Sequence, residues 1–290
     1  MNRIRVIHVI TRFDKGGSAE NTYLTCLGLD PELYDVRLVV GTSEESDMGP
    51  EERACVEANL ARLRARGVKI LTLAGLVRRV SPVKDLVTLL ALWRLFRRER
   101  PRIVHTHTSK AGILGRWAAW LAGVPAVIHT PHGHVFWGYF GPVKTRFFIL
   151  LETLSALVTD RLVMLTEQER RDHLRVGIAP DEAFVTIHSG VDLAPVMAAK
   201  AARDEARRAL GIPDGAFAVG TVGRLTAIKG PGVLVDAARR VIGRHPDSVF
   251  VFLGAGELLE ALQAQAAAAG IGAHVRFAGW RPDAARMMSA

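Results

Sequence analysis

Histidine recurs at chemically suggestive places in this chain. His105 and His107 flank Thr106, and His129, His132 and His134 fall in and just beyond the next apolar run. Alternate residues of a strand share a face, so His105 and His107 can point together. One reading is a zinc site, since imidazoles at such spacing ligate that ion. The other is a set of satisfied structural histidines. A catalytic zinc site also needs carboxylates to orient its imidazoles, and none stands near these in sequence, so no metal is expected. Thr130-Pro131-His132-Gly133-His134 reads as an exposed loop, because Pro and Gly frame it just past a buried strand.

Two glycine-bearing segments suit anions. Lys15-Gly16-Gly17-Ser18-Ala19-Glu20 follows the first strand-like run and opens a helix-like one. Paired glycines admit close backbone approach, and a helix start offers unpaired N–H groups. The pattern is not GxGxxG, so a nicotinamide cofactor is not indicated. Its plain alternative is a tight turn. Gly223-Arg224-Leu225, with Lys229-Gly230, follows a later strand-like run. There Arg supplies a fork and Lys a point charge to a diphosphate, or both belong to a solvated basic loop. Asp-x-Asp, the paired carboxylate that would hold a cation against a diphosphate, does not occur; Glu45-Ser46-Asp47 is the nearest pattern.

Trp137, Tyr139, Phe140, Lys144, Arg146, Phe147 and Phe148 interleave aromatic and basic residues. Such a segment can meet a membrane interface. The plainer reading, which we adopt, is a helix burying its Phe face with Lys and Arg outside. Arg94, Arg97, Arg98, Arg100 and Arg102 form a second basic cluster open to the same two readings.

The elements that position these residues alternate. Strands are expected at 5–10, 36–40, 68–73, 103–107, 126–130, 162–166 and 184–188. Helices are expected at 21–29, 51–66, 83–98, 111–122 and 143–158. Short apolar strands between amphipathic helices predict an α/β fold with a parallel sheet covered on both faces. After an Ala- and Arg-rich stretch from Asp192 to Gly211 the pattern restarts, with strands at 216–222, 248–253 and 274–277 and helices at 232–240 and 257–269. We therefore expect domains at 1–192 and 193–290, two doubly wound Rossmann-like units. The second has too few strands to be complete.

Bulk composition agrees with a packed globular protein. Of 290 residues, 49% are hydrophobic and 23% charged, which excludes a disordered chain. Cys26 and Cys55 match no disulfide framework or zinc motif, which suggests a reducing compartment. No apolar leader opens the chain and no run is long enough to span a bilayer, so we expect a cytoplasmic protein. The net charge of +9 suits phosphorylated substrates, an anionic membrane face or nucleic acid.

Taken in order, several of these segments resemble glycosyltransferase family 4, retaining enzymes of the GT-B architecture. The matching pieces are Gly16-Gly-Ser-Ala-Glu20, His105-Thr-His-Thr-Ser-Lys110 with Gly112 and Gly115-Arg116, and Ile128-His-Thr-Pro-His-Gly133. Further matches are His188-Ser-Gly-Val-Asp192, Gly223-Arg-Leu225 with Lys229-Gly230, and Phe252-Leu-Gly-Ala-Gly-Glu257. The resemblance implies a first domain that binds an acceptor and a second that binds a UDP- or GDP-linked sugar, with no further cofactor. It implies that Arg224 and Lys229 hold the donor diphosphate and that Gly16 and Gly17 reach phosphate or acceptor. It makes His132 the residue at the sugar subsite that supports retaining attack. His105, His107 and Glu20 are candidates for the sugar or acceptor subsite. A glycan or polyprenyl-linked acceptor and peripheral contact with an anionic membrane follow, in polysaccharide or glycolipid synthesis; nucleic acid is not an expected partner. The family's acidic pair would lie beyond Phe277-Ala-Gly-Trp-Arg281 and past Ala290, so an incomplete donor site is expected. Three rivals remain: a sugar-nucleotide epimerase on the same fold, a metal-dependent hydrolase, and a non-catalytic basic binding protein.

Overall fold

Runs such as Ile4-Arg-Val-Ile-His-Val-Ile10 and Tyr34-Asp-Val-Arg-Leu-Val-Val-Gly41 are rich in β-branched residues and too short for helices, and they form strands. A computed structural model describes residues 3–42, 46, 48–133, 136 and 140–290. The chain divides into two compact units, Met1–Val191 and Asp192–Ala290.

In the first unit the order is β1 (Ile4–Ile10), α1 (Gly17–Gly28), β2 (Tyr34–Gly41), α2 (Pro50–Ala65), β3 (Lys69–Leu73), α3 (Pro82–Glu99) and β4 (Ile103–His107). There follow α4 (Ser109–Ala122), β5 (Ala126–Thr130), α5 (Pro142–Ala156), β6 (Arg161–Met164), α6 (Glu167–Arg175) and β7 (Phe184–Thr186). The sheet runs β3-β2-β1-β4-β5-β6-β7, and every pairing is parallel. All strands therefore end at one carboxyl edge, and β1, β4 and β5 lie side by side.

Side-chain alternation sorts the strands onto two cores. Ile7, Val9, Val39, Val104 and Val127 pack with Leu92, Phe96, Ala118 and Ala119, beneath α3 and α4. Ile10, Leu38 and Val40 pack on the other face with Tyr23, Val56, Leu60 and Leu63, from α1 and α2. Amphipathic helices on both faces are what a buried parallel sheet requires.

The second unit comprises α7 (Leu193–Ala198), α8 (Arg203–Ala209), β8 (Phe217–Val222), α9 (Pro231–Ile242), β9 (Ser248–Leu253), α10 (Leu259–Ala268), β10 (Val275–Gly279) and α11 (Ala284–Met287). Its strands form a parallel sheet in the order β10-β9-β8. Phe250 and Phe252 pack against Val235, Ala238, Leu262 and Ala266, while Val249, Val251 and Leu253 pack against Ala206, Leu210 and Met287.

Two sequence expectations change here. The first helix begins at Gly17 rather than near Asn21, so the glycine pair caps it directly. The mundane reading of the aromatic and basic segment also fails. On α5 the residues Val143, Phe147, Leu150 and Leu154, with Leu157 just beyond, recur at helical spacing and are all exposed, Val143 at 80%. Lys144 and Arg146 are exposed beside them, and the buried face carries Glu152 and Ser155. Trp137 and Tyr139 lie outside the described residues, as do His134, Glu45 and Asp47.

Candidate functional site at the carboxyl edge of the first sheet

Register decides where the histidines go. Parallel pairing sets His8 of β1 opposite His105 of β4, and Ile10 opposite His107. Val104 and Thr106 alternate with the two β4 histidines, so His8, His105 and His107 share the α1–α2 face of the sheet. Their rings cluster: His105 and His107 lie 4.2 Å apart between centroids, His8 and His105 5.1 Å. His132 joins from the loop after β5, with its Nε2 3.0 Å from His107 Nδ1, and His8 Nδ1 is 3.0 Å from His107 Nε2. His105 Nε2 is 2.8 Å from the Thr130 hydroxyl.

His129 belongs elsewhere. It pairs with Thr106 in the sheet and turns to the α4–α5 face. There its Nδ1 bonds Thr106, and its Nε2 lies 3.8 Å from the Glu152 carboxylate. Of the histidines grouped in sequence, the four described ones thus split across the sheet, with His129 on the opposite face. The sequence showed no carboxylate near these histidines, but Glu152 lies beside His129.

Burial keeps these imidazoles neutral. Desolvation brings His8 and His132 down to about 4. It also holds His105, His107 and His129 well below the usual range, with neighbouring histidines adding to it for the first two and the Arg116 guanidinium for the third. Ring nitrogens of His8, His105 and His107 approach within 4.8 Å of one another, near enough for a metal ion. Both nitrogens of His107 are already committed to hydrogen bonds, so an ion held by all three rings would have to displace one of them.

The loops around the cluster are tied together. Thr11 Oγ1, after β1, meets Thr108 Oγ1 at 3.0 Å and accepts the Ala111 amide of α4. Thr108 has φ 65 and ψ 162, a region that is essentially glycine territory, and His132 has φ 60. Such backbone costs about 1–3 kcal/mol per residue and persists at sites that need a particular geometry. The sequence suggested an exposed loop at His132, but Pro131 is buried and His132 half-buried. A carboxylate from α6, a helix absent from the sequence reading, holds this loop: Glu169 accepts the Gly133 amide on one oxygen and the Leu165 amide on the other, each at 2.8 Å.

Gly16 and Gly17 stand at the start of α1 with no side-chain cap, and Glu20 is exposed in the first turn. Neither glycine has positive φ, and a Cβ on Gly17 would meet nothing within 4 Å. Gly112, Gly115 and Arg116 answer to packing instead. A Cβ on Gly112 would lie 2.4 Å from His129 Cε1, and one on Gly115 2.6 Å from Thr106 Cγ2. Arg116, fully buried, makes a bidentate pair with Glu152 at 2.8 and 2.9 Å. Arg97, Arg100 and Arg102 line a cleft of about 520 Å³ at the opposite, amino edge of the sheet, away from the histidines.

In the second unit, Arg224 and Lys229 are exposed in the segment between β8 and α9. Gly223 donates to Leu253 O and Leu225 to Ala255 O, which stitches this segment to the one after β9. The approach is close enough that a Cβ on Gly254 would sit 1.9 Å from Gly223 O, and one on Gly256 2.4 Å from Leu225 O. Lys229 closes a 3₁₀ turn, and Gly230, at φ 62, opens α9 without a side-chain cap.

Residues 16–190 match the family described as Glycosyl transferase 4-like domain, more than half of the chain. The protein belongs to that family. Residues 202–290 match Glycosyl transferases group 1. Among its relatives is the Escherichia coli UDP-Gal:alpha-D-GlcNAc-diphosphoundecaprenol alpha-1,3-galactosyltransferase, 37% identical over 190 residues, 65% of this chain and 49% of that protein. D-inositol 3-phosphate glycosyltransferase 1 of Catenulispora acidiphila is 31% identical over 194 residues, 60% of this chain and 44% of that one. The family 4 chain thus spans about half the length of the curated relatives it matches. Anabaena HepE, solved with UDP and glucose, superposes with TM-score 0.74 at 15% identity, over 99% of this chain and 72% of that one. A Neisseria meningitidis UDP-GlcNAc 2-epimerase bound to UDP-GlcNAc does so at TM-score 0.61 and 12% identity, over 98% and 75%. The fold is GT-B. Among the described residues no helix is long and apolar enough to cross a membrane.

Proposed function

We propose that this chain is a retaining glycosyltransferase that takes a sugar from a UDP- or GDP-linked donor and passes it to a lipid-linked or glycan acceptor. The observation that carries the reading is the crowding of strain and unexplained glycine at one sheet edge. Thr108 and His132 hold backbone conformations unfavourable to them on the loops after β4 and β5. On the neighbouring loop after β1, neither Gly16 nor Gly17 has positive φ, and Gly17 has open space where a Cβ would sit, while a Cβ on Gly16 would lie 3.2 Å from Asp14 Oδ1. A ligand that must approach the main chain closely accounts for both.

In this reading the α1 amides and the His132 loop face the acceptor and sugar. His132, being neutral, acts there as a hydrogen-bonding group rather than as a cation. Arg224 and Lys229 hold the diphosphate and balance charge as the nucleotide departs, on a loop kept rigid by its bonds to the segment after β9. The exposed α5 stripe with Lys144 and Arg146 supports an acceptor presented at a membrane surface. The diphosphoundecaprenol acceptor in the name of the E. coli relative points the same way.

Hydrogen bonds to charged groups contribute roughly 1.5–3 kcal/mol each, so Arg224→Ala and Lys229→Ala should each weaken UDP or GDP binding by about one to two orders of magnitude. Calorimetric titration of the parent and both variants checks this. Parent-like binding by both variants would remove the diphosphate assignment. NMR of products formed with and without a polyprenyl-diphosphate-linked acceptor separates transfer with retention from epimerisation of the donor alone.

A further inference from the structure

His8 plays no part in the reading above, yet it is fully buried and bonded to the histidine that supports His132. The three rings form one chain: His8 Nδ1 to His107 Nε2, then His107 Nδ1 to His132 Nε2, each at 3.0 Å. The atoms at the two ends, His8 Nε2 and His132 Nδ1, are buried and have no partner among the described residues. Burial holds all three imidazoles in the neutral form, so each ring carries one N–H and one lone pair.

Only two proton arrangements satisfy both bonds. In the first, His8 donates from Nδ1 to His107 Nε2, and His107 donates from Nδ1 to His132 Nε2. His132 then presents Nδ1–H, a donor. In the second, His132 donates from Nε2 to His107, and His107 donates from Nε2 to His8 Nδ1. His132 then presents a bare Nδ1, an acceptor. Any mixture sets two N–H groups or two lone pairs against each other across 3.0 Å.

We propose that His8 and His107 are positioning residues whose hydrogen-bonded chain fixes the His132 tautomer, and so whether its buried Nδ1 is a donor or an acceptor. A ligand hydroxyl that displaces the cover over Nδ1 would meet that character, and that role rests on the glycosyltransferase reading; the coupling of the three tautomers does not. The chain of rings starts on β1, an interior strand of the sheet, and passes through β4 to the loop after β5, so the hydrogen-bonding character of the loop residue is set from within the sheet. His105 lies against the chain but bonds Thr130 instead, which leaves it outside the coupling.

The test is tautomer measurement on the intact chain, labelled with 15N-histidine, by long-range 1H–15N correlation of Nδ1 and Nε2. His132 should show one dominant tautomer in the parent. His8→Phe keeps a ring in the stack but removes the bond, and should shift the His132 tautomer ratio by about two- to tenfold, the population change that one hydrogen bond carries. His8→Asn, whose amide can replace the lost partner, should restore the parent ratio, and His8→Leu, which also removes the bond and should shift the ratio, stands in if the Phe variant does not fold. In a His107→Phe background, substitution at His8 should have no further effect on His132. An unchanged His132 ratio in folded His8→Phe, or independent effects of the His8 and His107 substitutions, overturns the proposal. A merely structural role for His8 would lower stability and leave the ratio alone. None of these readouts needs donor or acceptor, so failure of the glycosyltransferase reading would be seen separately, in the titrations and product analysis.

Discussion

Glu152→Gln should be among the most destabilising conservative changes in the first unit. It keeps the shape of the side chain and removes its charge. Arg116 would then be left fully buried, with its Nε still bonded to Gly112 O and no counter-charge for its two terminal nitrogens. Breaking a buried pair by removing one partner costs about 3–5 kcal/mol, because the remaining charge is neither solvated nor balanced. In a unit of this size each kcal/mol moves the melting temperature by roughly 2–4 °C, so a fall of about 6–20 °C is expected. Urea unfolding gives the free energy, with tryptophan emission as a local probe because Trp117 donates to Ser155 of α5 at 3.2 Å. The partner measurement is the double variant Arg116→Met with Glu152→Leu, which removes both charges and should lie within about 1 kcal/mol of the parent, as such replacements often do. A loss below about 1 kcal/mol in Glu152→Gln would mean that water reaches the pair, and the reading of Arg116 and Glu152 as a buried, mutually dependent ion pair would be wrong.

Three further outcomes are expected. The buried histidines make the fold acid-labile: a folded-state value near 4 against 6.5 means the unfolded chain binds the proton more tightly, so His8 stabilises fully above about 6.5 and this is lost as pH falls towards 4. For His8 alone the loss is on the order of 3 kcal/mol; urea midpoints should be flat above neutrality and fall below it, and His8→Phe should shallow the fall, a parent-like slope counting against the burial argument. Gly112→Ala should cost about 1–3 kcal/mol by overpacking the buried His129 ring, and an unchanged melting temperature would refute the contact. Phe147→Ser and Leu150→Ser should each weaken binding to anionic phospholipid vesicles by about tenfold, since burying such a side chain contributes roughly 1.5–3 kcal/mol; co-sedimentation equal to the parent would remove the membrane from the proposal.

Much of the fold was legible because period and length rarely conflict in it. Ile103–His107 and Ala126–Thr130 are strands over the residues expected, being short apolar runs closed by polar ones. α6 was missed because Glu-Gln-Glu-Arg-Arg-Asp-His-Leu-Arg has almost no apolar stripe; a Thr166 cap and tertiary contacts hold it. With it went Glu169, the carboxylate that fixes the His132 loop. His105 and His107 sharing a face was readable from alternation alone. That His8 joins them while His129 does not depends on which strands pair and in what register, and nothing local to either residue encodes that. The α5 stripe misled for a similar reason: an apolar face is visible in sequence, but whether anything covers it is not.

The interior position of β1 gives assembly of the cluster a timetable. Strand order places β1 between β2 and β4, so one flank of the first strand made can be covered early by β2. The other waits for β4, and His8 and His107 are 99 residues apart. At about 5–20 residues per second on the ribosome, that interval is roughly 5–20 s. Throughout it a strand of Ile, Val and Ile has an open edge, the condition under which nascent chains associate wrongly or engage chaperones. The residues that end up most deeply protected in the finished protein are therefore among those left waiting longest while it is made.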